Sequence, residues 1–169
     1  MTNFLSIHTI RFVILLLLQV LLLSHVNFMG YINPYPYILF ILLFPIKNNR
    51  MLFILLSFLL GLFIDMFLDS GGIHAAASVT IAFIRPAALK FSFGALYDHQ
   101  AIKFNQVDFG QRFIYISILT LIHHFILFSL EIFNFSKIIL VLQNTLFSSI
   151  FTILLSILIT IIFSGTNKK

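Results

Sequence analysis

A chain of 169 residues that is 60% hydrophobic and 9% charged, with a mean hydropathy of +1.10, has too little polar surface to coat a water-soluble globule. The class implied is an all-α polytopic membrane protein, with residues 1–169 forming one domain because no linker interrupts them. The lack of cysteine excludes disulfides, thiolate catalysis and Cys-based metal sites, and a net charge of +5 fits basic loops flanking membrane spans, not a nucleic-acid partner.

The first apolar run covers residues 12–27, after His8 and Arg11. A cleaved signal peptide needs small residues behind its apolar core. Here the run ends in Ser24-His25-Val26-Asn27-Phe28, so a retained first span is expected. Pro34-Tyr35-Pro36-Tyr37 then reads as a short external turn, with tyrosines at the membrane–water boundary. The second span, 35–46, is short against the roughly 20 helical residues that cross a bilayer. It is expected to start earlier, to tilt, or to break at Pro45.

Lys47-Asn48-Asn49-Arg50 is a polar turn, and 51–68 is the third span. The fourth, 73–85, is rich in Ala and Ser, which suits a helix packed inside the bundle. Residues 85–112 form the long polar connection, in which 87–91 suggest an interfacial amphipathic helix. Spans five and six follow at 113–133 and 138–163.

Orientation follows from the basic residues. With the N-terminus in the cytoplasm, Arg11, Lys47, Arg50, Arg85, Lys90, Lys103, Arg112, Lys168 and Lys169 lie inside, and of the ten Lys and Arg only Lys137 lies outside. That asymmetry predicts six spans with both termini cytoplasmic.

Ionisable residues inside spans cost about 2.5–3.5 kcal/mol at a helix centre and call for an explanation. Gly61, Asp65 and Asp69 recur at i, i+4 and i+8 towards the end of the third span. Two readings stand: a packed face that presents a carboxylate to a partner helix or cavity, or a span that ends early with both carboxylates in external water. Gly71-Gly72 reads as the reversal into the fourth span, which begins with His74.

The fifth span carries His123, His124 and Glu131, the last two separated by two turns. A proton relay, a metal site and plain interhelical hydrogen bonding are the alternatives, and no compact metal motif fits the spacing. Arg85, beside Pro86, reads as a topology anchor. No catalytic signature or phosphate-cradling loop is present, so no enzyme activity, metal or cofactor is expected.

The string Gly61-x-x-x-Asp65, with Asp65-Met66-Phe67-x-Asp69, Gly72, His74-Ala75-Ala76-Ala77-Ser78 and Phe83-Ile84-Arg85-Pro86, resembles the rod shape-determining protein MreD family. His123-His124 with Glu131 and Phe133 is similar to the Bacteroidetes branch of that family. The resemblance covers essentially the whole chain. It implies a non-enzymatic inner-membrane subunit of the cell-elongation complex, associated with MreC and through it with MreB, RodA and a transpeptidase. It also implies a six-helix transmembrane bundle similar to the substrate-binding subunits of energy-coupling-factor vitamin transporters. Gly61, Asp65, Asp69, Gly72 and His74 would then form a partner or packing face. A substrate-capture subunit using Asp65, His74, His124 and Glu131 as ligand groups is the alternative.

Overall fold

The computed structural model describes residues 2–26, 32–46, 49–98, 102, 104 and 107–165, with side chains from residue 8 onward except at 25, 98 and 163–165. The described part is helical: α1 (Thr2–Leu21), α2 (Leu39–Leu42), α3 (Arg50–Leu68), α4 (Ile73–Phe93), α5 (Ala95–Asp98), α6 (Phe109–Ile132) and α7 (Ile138–Gly165). By length and composition α3, α4, α6 and α7 are each apolar enough to cross a membrane, and α1 holds a shorter apolar helix, His8–Leu21. Large apolar side chains such as Met66, Phe83 and Leu154 point outwards, as a hydrocarbon solvent permits.

Neighbours in sequence are neighbours in space. α3 packs on α4, α4 on α6, α6 on α7, and α1 against α3. Residues 32–46 do not join this wall. They run through the middle, touching α1, α4 and α7. Tyr37, Ile38, Leu39, Ile41 and Leu42 are fully buried, and Tyr35, Phe40 and Phe44 nearly so.

The expected second span is therefore not a regular membrane helix. Only a 3₁₀ turn at Pro36–Ile38 and the four residues of α2 are helical. The reason is geometric. Tyr35 sits at the level of His74, which is bonded to Asp65, whereas Phe44 stacks on Phe53 and lies against His8. Phe53 and Asp65 are twelve residues apart on α3, about 18 Å at 1.5 Å per residue. Nine helical steps from Tyr35 to Phe44 would rise only about 13.5 Å. The chain covers the distance by leaving the helix at both ends of α2. Open backbone at this depth is tolerable only inside protein, and residues 34–42 are all buried.

Other element ends also differ from expectation. α1 starts at Thr2 and stops at Leu21, short of residue 27, which itself lies outside the described residues. There Ser24 Oγ bonds back to the Gln19 carbonyl at 2.8 Å, and the Gln19 side chain reaches the Pro34 carbonyl at 3.3 Å. α4 does not end at Arg85. It passes through Pro86 to Phe93 and absorbs the 87–91 stretch expected to be a separate interfacial helix. Pro86 removes the N–H that would bond the Ala82 carbonyl, yet the buried side chains Ala88, Leu89 and Phe93 hold the helix on course. α6 starts four residues before 113, where the Asp108 side chain caps it by accepting from Gly110 N–H at 2.8 Å. Asn49 caps α3 in the same way through Met51 N–H. Of the Lys47–Arg50 turn, Lys47 and Asn48 lie outside the described residues, as do Lys103, Lys168 and Lys169.

Candidate functional site

The α3–α4 corner is built by left-handed residues. Asp69 ends α3 at φ 52°, and Gly71 and Gly72 follow at φ 67° and 94°. The reversal lays the backbone of α4 directly against Gly61 of α3. A Cβ placed there would lie 2.5 Å from Ala75 Cα and from the His74 carbonyl oxygen. Only glycine fits such a contact.

One turn further along α3, Asp65 faces the start of α4, whose own N-cap, Gly72, has no side chain to offer. Asp65 supplies the missing cap. Its Oδ1 accepts from His74 N–H at 3.0 Å and from the Ser70 hydroxyl at 2.6 Å, and its Oδ2 accepts from Ala75 N–H at 2.8 Å. The His74 ring adds a fourth donor, Nδ1–H, 3.0 Å from Oδ1. A carboxylate at a helix N-terminus also meets the positive end of the helix dipole. Asp65 is 5% exposed, so of the two sequence readings the packed one describes this residue. Asp69 separates from it: the helix has already ended, and its side chain is exposed.

His74 opens towards the interior, where its ring lies 5.7 Å from that of Tyr35 and 5.9 Å from that of Tyr37. Tyr37 and His123 are joined by a 2.6 Å hydrogen bond between Oη and Nε2. His124 continues the cluster. Its Nδ1–H donates to the Thr120 carbonyl at 2.8 Å, which leaves Nε2 to accept from the Thr152 hydroxyl at 3.1 Å. Thr152 in turn accepts from Tyr35 N–H at 3.0 Å. The open backbone at the head of the central segment is thus tied to α6 through α7. Glu131, exposed on the last turn of α6, lies within electrostatic reach of Tyr35 and His74 but takes part in none of these hydrogen bonds.

The other end of the central segment is held by Arg85. Its Nε donates to Tyr115 Oη at 2.9 Å, and its Nη2 donates to the carbonyls of Leu42, at 3.2 Å, and of Phe44. Tyr115 itself donates to the Leu42 carbonyl at 2.9 Å. The guanidinium lies over the Phe53 ring, 5.0 Å from its centroid. Arg85 is 4% exposed, which corrects its reading as a topology anchor. It is a buried cation that serves the carbonyl end of a broken helix, where both charge and dipole favour it.

The structure therefore brings Gly61, Asp65, Gly72 and His74 together at the corner, joins His123 and His124 to them through Tyr35 and Tyr37, and leaves Glu131 at the edge of this cluster and Asp69 outside it. Arg85, Tyr115, Tyr35, Tyr37 and Thr152 have roles that composition and spacing did not reveal. For Thr152 a signal existed: Ser148, Thr152, Ser156 and Thr160 recur every fourth residue of α7 and are all buried. Among the described residues no three His, Asp or Glu side chains are placed to hold a metal ion. The ring nitrogens of His124 and one of His123 are already committed to hydrogen bonds.

Four long apolar helices around an enclosed segment define the class, a helical membrane protein in which Asp65, His74, Arg85, His123 and His124 are turned inward. The chain matches no family model, no curated protein and no solved structure.

Proposed function

We propose that this chain is a non-enzymatic subunit of the bacterial inner membrane, of the MreD type, that supports an MreC-like partner in cell-wall elongation and so in cell shape. Through that partner it acts with MreB, RodA and a transpeptidase. It crosses the bilayer six times with both termini cytoplasmic, residues 32–46 counting as the second crossing. The resemblance carried by Gly61–Ser78 and Phe83–Pro86 supports the family, and the basic residues support the orientation.

The observation that carries a scaffold role is the filled interior. A capture subunit needs an open cavity in the bundle, and here Tyr37, Ile38, Leu39, Ile41 and Leu42 occupy the centre. Two of the groups that looked ready for a ligand are spent on the fold: the Asp65 carboxylate has four donors, and His124 bridges two helices, while His74 Nε2 keeps no partner among the described residues. Capture of a small molecule remains the second reading, favoured only by the nearness of three imidazoles and a carboxylate. Purification in mild detergent, with the bound proteins identified by mass spectrometry, separates the two. Recovery of an MreC-like protein is expected. Recovery of energy-coupling ATPases, or of a bound vitamin, would reject the scaffold reading.

A further inference from the structure

On the outward side of the α6–α7 pair lies an apolar groove of about 410 Å³ lined by Leu121, Ile122, Phe125, Leu142, Thr145 and Leu146. We propose that it is a binding site for one phospholipid, with an acyl chain in the groove and the phosphate at Lys137.

Three observations converge on that occupant. The first is lining chemistry. Leu121, Phe125, Leu142 and Leu146 are exposed and form walls, while Ile122 and Thr145 form the floor. Membrane helices that seat against each other use small residues so that their backbones can approach. Four bulky walls hold a second helix away but admit a thin, flexible hydrocarbon chain.

The second is depth. At 1.5 Å per residue, Phe125 and Leu121 lie about 10–16 Å below the outer end of α6 at Ile132, and Leu142 and Leu146 about 7–13 Å below Lys137. That is the depth of an acyl chain in one leaflet of a hydrocarbon core roughly 30 Å thick.

The third is the mouth. The turn above the groove is held by the Phe133 N–H to Ser129 carbonyl bond and by the Asn134 side chain accepting from Ser136 N–H at 2.9 Å. It places Phe133 and Phe135 almost fully exposed, with the exposed Lys137 beside them. Exposed phenyl rings next to a cation suit the boundary of the hydrocarbon core, where the rings enter the acyl region and the ammonium reaches up to phosphate. Lys137 is the one basic residue that the positive-inside pattern leaves on the outer side. On the groove it has a specific task.

The test is native mass spectrometry of the full chain purified from vesicles of phosphatidylethanolamine and phosphatidylglycerol. One retained phospholipid per chain is expected. Thr145→Phe, which fills the floor, should lower the retained fraction at least fivefold, and Lys137→Gln at least threefold. Leu158→Phe, on an exposed face elsewhere, should leave it unchanged. Because Thr145→Phe risks misfolding, Lys137→Gln, wholly on the surface, decides independently. A wild-type chain that retains no lipid overturns the site, as does retention unaffected by Lys137→Gln. So does a cysteine at Leu142 that cross-links to a partner's membrane helix. That occupant would offer the Thr145 hydroxyl, unpartnered among the described residues, a backbone carbonyl.

Discussion

The Asp65 carboxylate and the Ala75 amide, ten residues apart on different helices, are joined by a 2.8 Å hydrogen bond. Through that bond the end of α3 serves as the N-cap of α4. A capping carboxylate borrowed from the preceding helix fixes two things at once, the start of α4 and the angle of the corner. It also means that the most conspicuous ionisable residue of the sequence is consumed by folding.

Asp65→Asn is expected to destabilise the protein by about 2–3 kcal/mol, because the amide keeps one acceptor and turns its own donors onto groups that already donate. Asp69→Asn should be within about 0.5 kcal/mol of wild type, since Asn tolerates the left-handed backbone well. Unfolding in mixed detergent, followed by circular dichroism, measures both. Equal effects of the two substitutions would remove the capping account.

Gly61→Ala adds one methyl group against backbone atoms that cannot rotate away. A cost of about 3 kcal/mol or more is expected, at the upper end for overpacking. Gly71→Asn, where a Cβ meets open space and the left-handed backbone suits Asn, should cost far less. A fluorescence-detected melting curve in detergent distinguishes them, and a Gly61→Ala protein as stable as wild type would show that the helices can part.

Arg85→Met leaves the Phe44 carbonyl without its donor and Tyr115 without its own, at a cost of about 2–4 kcal/mol. Arg85→Lys should recover only part of this, because an ammonium is a compact charge and cannot copy the planar fork that serves Tyr115, Leu42 and Phe44 together. Tyr115→Phe should cost about 1.5–3 kcal/mol, because Leu42 keeps its bond from Arg85 but the buried Arg85 Nε loses its acceptor. If Arg85→Met melts at or above the wild-type temperature, the guanidinium is dispensable to the central segment.

With no native cysteine, single cysteines report orientation directly. Asn134→Cys should react in intact cells with a membrane-impermeant maleimide. Leu96→Cys, exposed on α5, should react only after the membrane is opened. The reverse pattern would invert the topology.

How much of this was legible in the sequence differs from element to element, for physical reasons. The span at α3 could be read because an unbroken apolar run ends in a turn with two glycines, and the membrane class because so few residues are charged. The form of residues 32–46 could not. A segment enclosed on every side carries no amphipathic period, so an apolar run of that length is equally compatible with helix, strand or open chain. Arg85 was misread because a basic residue beside a proline near a polar connection usually marks a helix end at the membrane surface. Two of its acceptors, the carbonyls of Leu42 and Phe44, are backbone atoms more than forty residues away that no side-chain pattern announces. Asp65 was legible as a buried group through its spacing from Gly61, but its partner, the bare N-terminus of α4, emerged only from the packing of the corner.

The central claim is that residues 35–44 permanently fill the interior, leaving a scaffold and no ligand cavity. Hydrogen–deuterium exchange of the full chain in lipid nanodiscs tests it most directly. Amides from Tyr35 to Phe44 are expected to exchange as slowly as those in the middle of α4 and α6, despite forming little regular helix. Exchange of this segment within seconds, at the rate of an exposed loop, would contradict the account and open the interior to a ligand.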